Sequence, residues 1–399
     1  MADTSWLVLI DTSNPSFSNE YGNDPNWEPF GIGPAVNQDD TGIFGTSNIT
    51  SISVSTTYQP GGWLFNPGAS SYTFNLATSG GLQFWGTGII VKGGSVTINN
   101  NSLIDFYNNS AAGSAVIFNR GSGKFTSLTF HDGSNAGHAT IFNMSQLTFT
   151  DDSSAGNAII YNSGTISFTL RSTAGDATIR TLAGGLTTFA DTSNAGNARL
   201  TTLADGKVDF SASSGPNGNH HLTVGSIAGG GTYDLGGNRL VVGSNGRSTT
   251  VNGAIDDGGD GGSLVKVGKG ALTLGGANNS YSGGTTLRYG TVHLKSVGAA
   301  GSGAITFAGP AELNIANAAL SHGHLFANVI HGFGNHDVID LSGLIFTPDA
   351  TATFHLATHH LTVHSDVGTD TLTLVGPHGT HFTALSDGHG GTEVMLLHA

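Results

Sequence analysis

No cysteine occurs in the 399 residues, which excludes disulfides, thiolate catalysis and cysteine-ligated metals and leaves the redox compartment open. Charge is scarce: Asp, Glu, Lys and Arg make up 10% of the chain, against roughly 25% in an ordinary globular domain. The 13 Lys and Arg all lie between Lys92 and Lys295, so the first 91 and last 104 residues hold none. A net charge of −14 with His neutral argues against nucleic acid and against an anionic membrane surface as partners. Long apolar runs are missing too. The longest early one, Trp6 to Ile10, is too short to span a bilayer and has no basic flank, so neither membrane insertion nor a classical secretory signal is expected.

What the chain does have is glycine, 62 residues of it, and apolar residues placed singly at regular intervals. The phrase "TFHDGSNAGHATIFN" at Thr129–Asn143 returns as "TFTDDSSAGNAIIYN" 19 residues later. Phe106, Phe130, Phe149, Phe168, Phe189 and Phe210 mark successive units at spacings of 24, 19, 19, 21 and 21. An apolar residue stands two before most of them (Ile104, Leu128, Leu147, Ile166, Val208), and Thr187 breaks the pattern before Phe189. Each unit then carries an "AG[SHND]A" turn, beginning at Ala112, Ala136, Ala155, Ala174 or Ala195, followed by a second short run of the form Ala-x-Ile.

Runs of four to six residues alternating apolar and polar, divided by Gly, Asn and Ser turns, are strands too short to bury a face alone. They must stack on their neighbours. Coils of about 20 residues stacked at the inter-strand spacing of about 4.8 Å make an all-β parallel β-helix, or β-solenoid. Such stacking predicts an internal Phe ladder. It also predicts a side-chain amide ladder of Asn119, Asn143 and Asn162, each 13 residues after its Phe, with Thr181 and Thr202 taking over the same place.

After a Gly/Asn-rich break at Ser213–Asn219 the repeat changes. From Gly262 the chain reads "GSLVKVGKGALTLGGANNSYSGGTTLRYGTVHL". This stretch resembles the passenger-associated transport repeat of bacterial autotransporters through Lys266, Gly268, Gly270, Leu272, Leu274, Gly276, Asn278, Tyr281, Gly283, Gly284 and Thr285. The "AGNATI"-like coils and the opening "NWEPFGIGPAVNQDDTGIF", followed by "GGWLFNPGASSYTF", are also similar to such passengers. The resemblance implies a right-handed β-helix at a bacterial cell surface or outside the cell. The last residues depart from it, because about 100 residues after Leu294 are too few for a membrane barrel of roughly ten-residue strands. Instead "VIHGFGNHDVIDLSGLIF" at Val329–Phe346 is similar to the C-terminal signature of type I secretion substrates, carried by Phe333, Asp337, Ile339, Asp340, Leu341 and Ser342. Asn335 and His336 replace the small residues usual there. That second resemblance implies an uncleaved C-terminal export signal. Four segments follow: 1–91, an N-terminal cap and first coils; 92–212, the solenoid repeats; 213–321, the passenger-type β-helix; 322–399, a small His-rich β domain.

Three constellations invite a chemical reading. Asp132, Asp151 and Asp191 each sit two residues after a ladder Phe, with Leu170 in that place between the last two. Asp132 and Asp151 stand one coil apart, the carboxylate separation of about 5 Å that a retaining glycosidase uses. No Lys, Arg or His recurs beside them, so the plainer expectation is that each Asp accepts a hydrogen bond from its turn backbone. "DDGGDGG", Asp256–Gly262, offers three carboxylates on a flexible loop and makes calcium possible, although the calcium-binding β-roll nonapeptide is nowhere in register. Asp337 and Asp340 read as strand-end caps.

Twelve of the 17 His fall in 322–398, where no Lys or Arg accompanies them. His359, His360 and His364 could bind a transition metal, but no tetrahedral ligand spacing repeats. A proton-responsive surface is a stronger expectation than a metal site, and neutral decoration of a polar shell is as strong as the proton-responsive surface. No Ser–His–Asp set, P-loop or dinucleotide motif occurs, so no catalytic, cofactor-binding or metal residue is assigned. The expected function is a non-enzymatic, extracellular or cell-surface structural rod in adhesion, matrix or head-to-tail filament assembly. Its expected partners are its own copies and surface glycans or host matrix. A carbohydrate-active β-helix enzyme, lyase or hydrolase, is the alternative.

Overall fold

Alternation leaves each short run with one apolar face, and that face is buried when equivalent runs of successive coils pair side by side. The computed structural model describes residues 4–6, 19–23, 26–28, 35, 37–121 and 126–397. Residues 7–10 of the early apolar run, residues 29–34 and 36 of the opening passenger-like stretch, and His398 lie outside the described residues. The chain forms two units, Met1–Ala198 and Arg199–Ala399. Each is a parallel β-solenoid.

In the first unit one side stacks Ser51–Val54, Tyr72–Leu76, Val96–Asn100, Val116–Asn119, Thr140–Asn143, Ile159–Asn162 and Thr178–Thr181, all parallel and in register. A second side stacks Gly81–Phe84, Leu103–Phe106, Ser127–Phe130, Gln146–Phe149, Thr165–Phe168 and Leu186–Asp191. The third side is a full strand only at first, through Thr41–Phe44, Gly62–Phe65 and Gly88–Val91. From there it narrows to single bridged residues at Ala111, Asn135, Ser154, Thr173 and Asn194. The "AG[SHND]A" phrase is that narrowed corner. Its glycines take positive φ, 60° at Gly137 and 57° at Gly156. A Cβ on Gly156 would also lie 3.0 Å from the Gly137 carbonyl oxygen, so both dihedral and space demand glycine.

The Phe ladder is present as expected. Phe106, Phe130, Phe149, Phe168 and Phe189 are fully buried, with ring centroids 4.7–4.8 Å apart and planes within 7°. Phe84 extends it at 5.0 Å from Phe106. Phe210, in the second unit, is likewise buried.

The amide ladder is longer than the sequence indicates, because Asn100 joins it. Nδ2 of Asn100, Asn119 and Asn143 donates in turn to Oδ1 of Asn119, Asn143 and Asn162, at 2.9, 2.7 and 2.7 Å. Thr181 takes the next register position. The irregular Thr187 is explained here. It is buried opposite Ile166, and its hydroxyl meets Thr181 Oγ1 at 2.9 Å, closing the polar column where the amides end. At the N-terminal end an aromatic cluster of Tyr21, Trp27, Phe44, Trp63, Phe65 and Phe74 is fully buried, and its polar atoms are spent: Trp27 Nε1 donates to the Tyr21 carbonyl and Trp63 Nε1 to the Tyr21 hydroxyl.

In the second unit one parallel side runs through Arg199–Thr202, Ser226–Gly229, Thr249–Val251, Ala271–Leu274, Gly290–Leu294, Ala311–Ile315 and Val338–Leu341. Another is built of full strands, beginning at His221–Val224 just past the Gly/Asn-rich break and continuing through Arg239–Val242, Ser263–Lys266, Thr285–Leu287, Ile305–Phe307 and Leu325–His331. The small C-terminal β region closes the stack with antiparallel strands. Thr392–Leu396 pairs with Val338–Leu341 and with Phe382–Ser386. Gly368–Val375 pairs parallel to Leu325–His331 and antiparallel to His360–Ser365, which carries Thr351–His355.

Candidate binding surface

Because register is kept from coil to coil, outward side chains stack as regularly as inward ones. On the first unit Phe118, Phe142 and Tyr161, each one residue past a buried Ile, form an outer ladder with centroids 4.9 and 5.1 Å apart. Arg120 lies over the Phe118 ring at 4.3 Å, and Arg180 stands 5.8 Å from the Tyr161 ring at the other end. These are cation–π distances. Val116, Thr140 and Ile159 form the neighbouring outward column, and Met144 is 61% exposed beside it. The strip is therefore apolar at its centre and cationic at both ends.

A second outer column stacks Trp85, Tyr107 and His131 at 4.0 and 4.5 Å, each directly after an inner-ladder Phe. A polar relay runs alongside. Gln59 Nε2 donates to Gln83 Oε1 at 2.7 Å, and Gln83 Nε2 to Asp105 Oδ2 at 3.1 Å. Asp105 is nearly buried and also receives the Tyr107 hydroxyl, at 3.3 Å, with His131 Nε2 at 3.5 Å from its other oxygen. Burial first, and then the Asp105 charge, push the Tyr107 phenol up to about 12. Neither outer column follows from the inward Phe and Asn repeats. The available signal was the pairs Phe-Trp, Phe-Tyr and Phe-His at 84–85, 106–107 and 130–131, and "IFN", "IFN", "IYN" at 117–119, 141–143 and 160–162.

The recurring carboxylates are corner residues. Asp132, Asp151, Leu170 and Asp191 all take left-handed φ, 52–57°. Their hydrogen bonds differ from the expected local turn: Asp132 Oδ2 accepts from Asn108 N, Asp151 Oδ2 from Asp132 N, and Asp191 Oδ2 from Leu170 N, at 2.9, 3.2 and 3.0 Å. Each donor is the equivalent corner of the preceding coil.

In "DDGGDGG", Asp256 Oδ1 accepts from Gly258 N and Ser280 Oγ. Asp257 accepts from Gly259 N on one oxygen and from both N and Oγ of Ser282 on the other, at 2.7–2.9 Å. The Gly258 N–H holds Asp256 below the usual carboxylate range. Burial raises Asp257, but the Ser282 and Gly259 donors outweigh it and the net shift is also downward. Among the described residues no three His, Asp or Glu side chains are grouped to hold a metal ion.

Asp337 caps a strand end, with Gly334 N at 2.7 Å and Ala311 N at 3.3 Å. Asp340 accepts from Asn314 Nδ2 and is pushed up to about 6 by burial and then by the charges of Asp387, Glu312 and Glu393. The histidines are spread out. His324 pairs with the buried Asp370 at 2.9 Å, and His364 Nδ1 meets Thr369 Oγ1 at 2.8 Å. His336 and His378 line a cavity of about 230 Å³ with Asp337 and Phe307. His355 stands opposite His360.

Lys266 is the buried cation of the second unit. Its Nζ donates to the carbonyls of Val267, Gly268 and Tyr289 at 2.8, 2.7 and 3.1 Å, and burial pulls its pKa down to about 8. The same coil buries Tyr281, whose hydroxyl meets Thr285 Oγ1 at 2.7 Å, and Asn279, which joins Ile255 N to the Ala299 carbonyl. These contacts tie three neighbouring coils together. Lys266, Asn279, Tyr281 and Thr285 lie within residues 264–294, which match the family model of the passenger-associated-transport repeat. In its fold and in this repeat the chain is similar to autotransporter passengers, and the repeat points to the bacterial cell surface or the secreted space. No curated protein matches the chain. Among the described residues no helix is long and apolar enough to cross a membrane.

Proposed function

We propose that the protein is a non-enzymatic surface β-helix protein that adheres through the outer face of its first unit. The observation that carries this reading is the strip of Phe118, Phe142 and Tyr161 bounded by Arg120 and Arg180. Half-buried, outward-facing aromatic rings beside the exposed Ile159 and Met144, framed by guanidinium groups on a chain of net charge −14, form a local docking face for an acidic ligand. Surface glycans and host matrix present that chemistry. A binding role, rather than glycoside cleavage, is supported by the recurring corner carboxylates, which spend an oxygen on backbone N–H groups.

The test is adsorption of the purified chain to acidic-glycan and matrix surfaces. The double substitution Phe142→Ala and Arg180→Gln is expected to weaken binding by about tenfold, roughly 1.4 kcal/mol, with little change in melting because both side chains point outward. Undiminished binding by that variant would remove this face as the contact.

Self-association belongs to the same reading. The first 91 residues carry acidic groups and no Lys or Arg, while the C-terminal region holds the histidines. Imidazole is the side chain whose charge ordinarily changes between about pH 5 and 8, and Asp340, raised to about 6, becomes neutral as pH falls through that value. Repulsion between the two ends of neighbouring copies then turns to attraction, and head-to-tail contacts that do not close run on as filaments. Light scattering from pH 8 to 5 is expected to rise towards the acid end for the parent but not for a variant with the C-terminal His replaced by Gln. Equal curves would sink the histidine switch.

A further inference from the structure

Two histidines face each other across a hairpin of the C-terminal region, in an arrangement that the adhesion face does not use and that a charge switch does not require. Strands Thr351–His355 and His360–Ser365 form an antiparallel hairpin in which His355 is directly opposite His360. Leu361 and Val363 of the second strand are buried, so alternation places His360, Thr362 and His364 on the outer face, and the register puts His355 there with them. The turn is defined: His355 O accepts from Thr358 N at 3.2 Å, and His359 takes φ 59° to bring the chain back. Opposed residues of such a pair hold their Cβ atoms about 4.5–5.5 Å apart on one side of the sheet. From there two ring nitrogens can reach a common ion at about 2.0–2.1 Å each.

The neighbours favour this pair over the other histidines. His364 Nδ1 is already hydrogen-bonded with the Thr369 hydroxyl, and His324 Nδ1 with the Asp370 carboxylate. The rings of His355 and His360 make no hydrogen bond or ion pair among the described residues. Thr373 flanks His360 on the adjoining strand, and no Lys or Arg follows Lys295, so no fixed cation opposes a metal there. We propose that His355 and His360 form a two-imidazole site for a divalent transition-metal ion, with water completing its coordination. Imidazole ligands suit Zn²⁺, Ni²⁺ and Cu²⁺, whereas Ca²⁺ and Mg²⁺ prefer oxygen.

The site is tested on the full, untagged chain by titration with Ni²⁺ at pH 7.5, followed by calorimetry and by paramagnetic broadening of imidazole signals. Broadening is expected first at His355 and His360. His355→Gln and His360→Gln are each expected to weaken that site by about tenfold or more. His364→Gln, on the same strand and face, should leave it intact, and Ca²⁺ should not compete. Both rings are exposed, so unchanged melting checks that the variants remain folded. Absence of Ni²⁺ binding by the parent would overturn the proposal. So would unchanged binding by the double variant, or an equal loss in His364→Gln. The adhesion reading stands or falls separately, because its residues lie in the other unit.

Discussion

Phe149→Asp is expected to abolish the cooperative melting of the first unit at temperatures where the parent is folded. Phe149 is fully buried and stacks on Phe130 and Phe168 at 4.8 Å on either side. Truncation of a buried Phe alone costs roughly 3–5 kcal/mol. The carboxylate adds its own desolvation, and the ladder offers it no cation. The sum approaches the whole stability of an ordinary domain, about 5–15 kcal/mol. Asn157→Ala is the matched control: its side chain is exposed, and its backbone N–H bond to Gly137 O survives the change. Thermal melting and limited proteolysis read the difference. A parent-like melting temperature for Phe149→Asp would show that this residue does not face the core.

The second large effect is expected at the amide ladder. Asn143 accepts from Asn119 Nδ2 and donates to Asn162 Oδ1, both at 2.7 Å, and also donates to Thr165 O at 3.0 Å. Asn143→Ala strands polar atoms of both neighbouring amides in a buried column, and each stranded group costs about 1–3 kcal/mol. Asn143→Thr is expected to be milder, since Thr181 already occupies the equivalent register position next to Asn162. Urea midpoints for the two variants provide the check. If alanine were tolerated as well as threonine, the column would be packing rather than hydrogen bonding.

The same two ladders show how far the residues alone can be read. Phe spacing, the Asn 13 residues behind each Phe, and the glycine corners all report which side chains point inward, because alternation along a strand is a local property. They were enough for a parallel β-solenoid, for the passenger-type repeat around Lys266 and for most of both columns. Asn100 falls outside the pattern because it stands 16 residues after Phe84 rather than 13, and Thr187 breaks the apolar repeat because it closes the amide column.

Outward neighbours were harder to read. Phe118 meets Phe142 only once coils of unequal length are brought into register by the hydrogen-bond ladder, whereas Arg120 over Phe118 is a local contact between residues two apart. The carboxylate corners, legible as turn residues, reach to the coil before rather than to their own turn, a choice made by stacking. His355 and His360 are five apart in a His-rich stretch, and nothing in that spacing distinguishes them from His359 or His364. The inward faces, the coil and the repeat are legible in the residues alone, because burial and turn chemistry act over a few residues. Only the tertiary structure decided which outward side chains stand together, because that depends on register between strands far apart in the chain, and register is set by the packing of whole coils.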